Sequence, residues 1–194
     1  MEGPILEHAE ASGIKRGKQA GITLIELIIA LAVIGVIASF AVHGASAAIN
    51  ASRTSSSVSS LYASLTRARS FAATGGVDVV LCPSADGAAC ADGYRWESGW
   101  IAFPALHSGS NRSADEPILV HQEALPPTVH LITSAGRTRI RFQPNGSNAG
   151  SNATFTFCDG RGPSAASAYA MANSGELRST APTTENTAEA CSRQ

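Results

Sequence analysis

The chain has 194 residues, 44% hydrophobic, 15% charged and 6% aromatic, with a formal net charge of -1 and a mean hydropathy of +0.05. That length suits one domain of ordinary size with appendages, and the near-neutral charge argues against binding nucleic acid by bulk positive charge. The hydrophobic share is too high for a disordered chain, while 18 Gly among many Ser and Ala point to a loop-rich fold.

The first residues, MEGPILEHAEASGIKRGKQAG, are polar and end in a basic cluster of Lys15, Arg16 and Lys18. Residues 22–42, ITLIELIIALAVIGVIASFAV, follow as an apolar run with one ionisable side chain, Glu26. At about 1.5 Å per residue such a helix reaches roughly 31 Å, the thickness of a bilayer's hydrocarbon core. The run is expected to span a membrane. Cations abutting it predict that its N-terminal end stays cytoplasmic and that the bulk of the chain is exported. An ordinary secretory signal has a shorter apolar region followed by a small-residue cleavage site. Here the small residue, Gly21, precedes the run.

A carboxylate inside a spanning helix costs roughly 2.5 to 3.5 kcal/mol on insertion scales, which makes Glu26 a functional candidate by default. A cut after Gly21 would put a new amine on Ile22, one helical turn from Glu26. The two charges could then neutralise each other within the chain or between neighbouring subunits of a polymer. The string G-ITLIE before an unbroken apolar helix resembles the class III signal of type IV prepilins and type II secretion pseudopilins. That resemblance implies a membrane prepilin peptidase that cuts after Gly21 and methylates the Ile22 amine. It also implies that Glu26 guides subunit registration during assembly. Two departures stand out: Ile22 replaces the usual first phenylalanine, and His43-Gly44 stands where major pilins carry a helix-breaking proline. Glycine weakens a helix by about 1 kcal/mol relative to alanine, so only local softness is expected there.

From residue 45 to about 73, Val58, Leu61, Tyr62, Leu65, Ala68, Phe71 and Ala72 recur at spacings of three and four, which predicts an amphipathic helix with one face seeking a sheet. Thr74-Gly75-Gly76 ends it, and Arg67 and Arg69 lie where cations favour the helix dipole. Strand-like runs follow at 77–82, 100–103, 118–123, 129–133, 137–143 and 153–158, with a further candidate at 167–172, separated by turn-rich strings. A long helix followed by strands alone implies an α+β fold with the helix laid on an antiparallel sheet. The expected organisation is a leader at 1–21, a transmembrane and assembly helix at 22–44, an amphipathic helix at 45–76 and an exported sheet domain at 77–194. The polar tail STAPTTENTAEACSRQ would be disordered but for Cys191.

All four cysteines follow the apolar run and could form two disulfides in an oxidising compartment. Three pairings are possible, and sequence alone does not choose among them. Closing a local loop and tying down the tail favours Cys82–Cys90 with Cys158–Cys191, worth about 2.5 and about 4 kcal/mol by loop entropy. A zinc site lacks both a CxxC pair and a histidine pattern. No metal or cofactor is expected.

The string GYRWESGWIAF, the helix end LTRARSFAATGG and the cysteine after the first strand resemble the FimT/GspH family of minor pilins and pseudopilins. Trp96 and Trp100 read as core or edge-packing aromatics rather than a base-stacking platform. After the leader every basic residue is arginine, and Arg137, Arg139 and Arg141 alternate in GRTRIRF. On a strand they would form a stripe able to pair bidentately with DNA phosphates. Some FimT-like minor pilins of naturally competent bacteria resemble DNA receptors with a GRxR motif near the C-terminus. The aligned string here is SGELRS, retaining Gly175 and Arg178 with Glu176 in place of the first arginine. The stripe reads either as a solvated sheet face of a chain that prefers arginine or as a surface for double-stranded DNA formed by Arg137, Arg139 and Arg141, to which the resemblance adds Arg178 and a role in natural transformation.

His43, His107, His121 and His130 stand in no recognisable nucleophile or metal constellation, and GxSxG, P-loop and HExxH strings are absent, so no enzyme is expected. The reading is a minor pilin, FimT-like, held in the bacterial inner membrane by one span with a periplasmic C-terminal domain, then moved to a cell-surface pilus. Its partners would be other pilins, the prepilin peptidase and the inner membrane. The alternatives are a GspH-type pseudopilin of a type II secretion system and an unprocessed, membrane-anchored enzyme or binding protein.

Overall fold

A computed structural model describes residues 21–107, 109–148 and 150–193, with the side chains of 39–44 outside the description. The leader before Gly21, including Lys15, Arg16 and Lys18, lies outside the described residues. The chain divides into two compact units, Met1–Val42 and His43–Gln194.

Helix α1, Leu24–Gly75, is one continuous element, as expected of a long helix whose apolar part, 22–44, runs on into its amphipathic part, 45–76. In the second unit it buries Thr54, Ser57, Leu61, Ser64, Leu65, Ala68 and Ala72, a stripe at spacings of three and four. The early part of that stripe is hydroxylic. Ser57 and Ser64 donate to the carbonyls of Arg53 (2.9 Å) and Ser60 (2.8 Å), so both hydroxyls are satisfied inside the helix while they are buried. Tyr62 and Phe71, expected on the packed face, are exposed because they flank the stripe. Gly76 ends the helix at φ 65°, where its N–H donates to the Ala72 carbonyl at 3.1 Å.

Eight strands follow where seven were expected: β1 (Val79–Pro83), β2 (Trp100–Pro104), β3 (Val120–Gln122), β4 (Val129–Thr133), β5 (Ile140–Phe142), β6 (Ala153–Asp159), β7 (Ser167–Met171) and β8 (Leu177–Thr180). They form two antiparallel sheets rather than one: a first of order β3-β2-β1-β5 and a second of order β4-β6-β7-β8. The tail, expected to be tied down through Cys191, carries a short helix, α2 (Thr184–Cys191), that was not anticipated. Thr183 caps it by accepting from the Asn186 N–H at 3.2 Å.

The residues β1 (VVLCP) and β2 (WIAFP) are buried on both faces. Val79, Leu81, Trp100 and Ala102 point into the main core with Leu61, Leu65 and Ala68 of α1 and Leu131, Phe155 and Phe157 of the second sheet. Val80, Cys82, Ile101 and Phe103 form a smaller core on the other face. Both tryptophans are in the main core as expected; Trp96 packs its ring 6.3 Å from Trp100 and edge-on to Phe155 at 5.7 Å. The segment before β2 also pairs with β4, through Trp96 N–H to the Leu131 carbonyl (2.8 Å) and Thr133 N–H to the Tyr94 carbonyl (2.8 Å), which links the two sheets. The turn between them requires Gly99: its φ is 105°, and a Cβ there would lie 2.4 Å from the Gln122 carbonyl oxygen.

Candidate functional site

Gly21, Ile22 and Thr23 precede the first turn of α1 in non-helical conformation. Thr23 starts the helix: its hydroxyl accepts from the Glu26 N–H at 3.3 Å and its carbonyl from the Leu27 N–H at 3.2 Å. Glu26 therefore lies in the first turn, where the helix dipole favours a carboxylate. Thr23 was not singled out from sequence, although a threonine directly before an apolar run is a recognisable cap signal. Among the described residues, a Cβ added to Gly21 would meet nothing within 4 Å.

Beyond the cap, Ile22, Leu24, Ile25, Leu27 and the other large apolar residues through Ile37 are each more than half exposed. A contiguous apolar surface of this kind calls for a covering partner. Among the described residues no helix is long and apolar enough to cross a membrane. The end of the apolar run, residues 39–42, belongs to the stretch whose side chains are not described.

The arginines are arranged differently from the expected stripe. β5 spans only three residues, so Arg137 falls in the turn before it, its N–H bound to the Ser134 carbonyl at 3.0 Å. Arg139 points across the outer face of the first sheet. Its Nε donates to the Ser110 carbonyl (3.2 Å), Nη1 to the Ala91 carbonyl (3.0 Å) and Nη2 to Asn111 Oδ1 (2.8 Å). Arg141 donates to Asp78 Oδ2 at 3.0 Å and to the Gly109 carbonyl. Two guanidiniums of the three are thus committed to the chain's own carbonyls and carboxylates, where they hold the loop between β2 and β3. Arg178 is exposed and donates to Glu176 at 2.8 Å; that bond holds the Glu176 carboxyl below its usual value and raises Arg178.

The same loop is closed by Glu116, a residue that sequence reasoning missed. Its side chain is buried and accepts from the N–H groups of Leu106 (2.7 Å), His107 (3.3 Å) and Ser113 (2.8 Å). Nearby His107 and Asp115 pair at 2.8 Å, which raises the imidazole and lowers the carboxyl.

A second missed site lies at the end of β6. Asp159 is 1% exposed, accepts from the Thr54 hydroxyl on α1, and takes Arg161 Nε on one oxygen (2.9 Å) and Nη2 on the other (2.7 Å). The Arg161 guanidinium holds the Asp159 carboxyl down at about 2 against the opposing effect of burial, with Thr54 assisting. In sequence the string DGRG reads as a turn, and nothing local announces that its acid is buried.

Both cysteine pairs are bonded as favoured above, Cys82 to Cys90 and Cys158 to Cys191. Among the described residues no group of three or more His, Cys, Asp or Glu could hold a metal ion.

Against known proteins, the family described as type II transport protein GspH matches residues 57–175. The chain belongs to the GspH family. The prokaryotic N-terminal methylation motif matches residues 16–42, the stretch that contains Gly21, Ile22 and Glu26. Two crystal forms of the type IV minor pilin FimU of Pseudomonas aeruginosa are similar in fold, with TM-scores of 0.51 and 0.52 at 19% identity. The alignments cover 66% of this chain and 92% and 87% of the FimU chains. The minor pseudopilin EpsH of the Vibrio cholerae type 2 secretion system aligns with a TM-score of 0.45 at 16% identity, over 65% of this chain and 94% of EpsH. No curated protein matches. This GspH-family chain carries an N-terminal methylation motif and an α+β fold similar to that of the minor pilin FimU.

Proposed function

We propose that the protein is a FimT-like minor pilin, cut by prepilin peptidase after Gly21, methylated on Ile22, and built into a type IV pilus through residues 22–42. Before assembly that segment spans the inner membrane with the second unit in the periplasm; afterwards it lies among other pilin helices at the cell surface. The observation that carries this reading is the uncovered apolar helix with a single acid in its capped first turn. Exchanging lipid contacts for helix contacts gains little from hydrophobicity, since lipid tails are as apolar as leucine. Register must then come from the groups that hydrocarbon tolerates worst. The Glu26 carboxylate and the Ile22 amine released by the cut are such a pair, and their charges favour the one axial offset between neighbours that joins them.

A pseudopilin of a type II secretion system would use the same physics, and gene neighbours distinguish the two. In the pilus reading, contacts with double-stranded DNA would draw on Arg137 and Arg178, whose side chains are exposed, because Arg139 and Arg141 are engaged in the loop.

N-terminal sequencing and intact mass of the membrane-extracted protein test the proposal. A chain beginning at a methylated Ile22 is expected. Retention of residues 1–21 would overturn it in favour of an unprocessed anchored protein. Glu26→Ala should still be cut yet disappear from sheared filaments.

A further inference from the structure

Residues 45–49 of α1 are exposed, and Asn50 reaches the turn that precedes β4. Its Oδ1 accepts from the Thr128 hydroxyl at 3.0 Å, and Arg53 Nη1 reaches the same hydroxyl at 3.4 Å. The turn after β6 comes in close because residue 160 is glycine: a Cβ there would stand 2.8 Å from Asn50 Nδ2. One turn on, Thr54 is the first buried residue of the helix among those described and donates to Asp159, which Arg161 grips with two side-chain N–H bonds. Apolar packing begins only at Val58 and Leu61.

A buried charge is a costly means of attaching a helix, since well-packed apolar residues of similar volume commonly serve as well or better. What the polar contact adds is position. An apolar face tolerates slippage or the loss of a turn, whereas a hydroxyl bound to a carboxylate ties one residue of α1 to one residue of β6. Helix lost upstream unravels residue by residue, because each N–H needs a carbonyl four residues back, and restarting it requires a costly nucleus. Residues held in helical geometry by bonds outside the helix keep that nucleus.

We propose that Asn50, Thr54, Asp159 and Arg161 form a helix stop, which confines loss or recovery of helix N-terminal of residue 50 to that stretch and keeps it out of the exported unit. Passage from bilayer to filament, in the function proposed above, supplies the occasion for such changes. The stop itself does not depend on that reading.

Hydrogen exchange of the full chain in detergent micelles, resolved across residues 45–72, tests it with Thr54→Val and Asp159→Asn. In the wild type, protection should rise steeply between residues 49 and 54. In either variant the boundary should move one to two turns toward Leu61, with amides at 54–57 exchanging about tenfold faster, as expected for loss of a hydrogen bond to a charged group, and those at 65–72 unchanged. A boundary that stays in place in Thr54→Val, which keeps the side-chain shape, overturns the proposal. So does uniform acceleration across 54–72, the mark of general destabilisation. Cleavage at Gly21 and filament entry do not affect this readout, so failure of the assembly reading would leave it standing.

Discussion

The two sheets solve the same problem, an apolar outer face, with different covers. On the first sheet Val80, Cys82, Ile101 and Phe103 lie beneath the loops that follow β1 and β2. The disulfide there joins cysteines only 8 residues apart, and the rest of the hold is polar: Glu116 closes one loop from inside, while Arg139, just before β5, and Arg141, within it, reach its backbone. On the second sheet Ile132 and Cys158 lie beneath α2, which buries Ala190 and is tied by a bridge across 33 residues. Its polar support is concentrated in Glu189, which accepts from Tyr94 at 3.0 Å and from Arg95. A cover made from neighbouring chain can be spread over many hydrogen bonds. A cover recruited from the end of the chain depends on one covalent tie.

Removing each tie is the sharpest way to break that comparison. Replacing Cys158 and Cys191 together by serine should cost about 4 kcal/mol, because the freed loop is long. It should also release α2, seen as fast amide exchange over residues 184–191. The matching replacement of Cys82 and Cys90 should cost about 2.5 kcal/mol and leave the β2–β3 loop protected, since Glu116, Arg139 and Arg141 remain. Equal losses of thermal stability in the two double variants would refute the contrast.

Acid offers the next largest effect and acts on the second sheet. Asp159 has its carboxyl lowered from 3.8 to about 2 in the folded chain by Arg161 and Thr54. A depressed acid contributes stability that is complete above its unfolded value and is lost as pH falls through 3.8 toward 2. The amount is on the order of 2 kcal/mol. A denaturation series between pH 5 and pH 2 should show this loss in the wild type and a flatter profile in Asp159→Asn. Parallel profiles would remove Asp159 from the account.

Much of this arrangement is visible in the sequence, and what is hidden has identifiable causes. The apolar run, Glu26 and the glycine before it announce themselves by composition. The stretch 129–133 is a short run rich in β-branched and apolar residues flanked by turn residues, and it coincides with β4. Cysteine spacing suggested the pairing because short and terminal loops are the natural ones to close. The tie through Cys191 was legible, but the helix it holds was not, because α2 is polar on most of its surface and buries only Ala190; its stability comes from Thr183 and from Cys158, 33 residues before Cys191. The single expected sheet became two because alternation reveals which residues share a face but not which strand lies alongside. The arginine stripe was misjudged for a related reason: the carbonyls that Arg139 binds belong to Ser110 and Ala91, 29 and 48 positions away.

Those arginines supply the smallest effects on stability and the closest test of what the first cover is for. A lysine at 139 keeps the charge but cannot present the rigid guanidinium fork to several acceptors at once. Arg139→Lys should therefore lower stability by about 1 kcal/mol and speed amide exchange in the β2–β3 loop. Arg178→Ala should leave the melting temperature where it is, because the Arg178–Glu176 pair has side chains 70% and 53% exposed. Retention of duplex DNA by the full chain in micelles should run in the opposite order. Removing Arg137 and Arg178 would take away the two exposed arginines of the four proposed for DNA, so it should weaken retention and reduce its dependence on salt, whereas Arg139→Lys should change retention little. If Arg139→Lys instead abolished retention with the loop still protected, its bonds to Ser110 and Ala91 would have to be incidental, and the first sheet's outer face would be a ligand surface rather than a stapled cover.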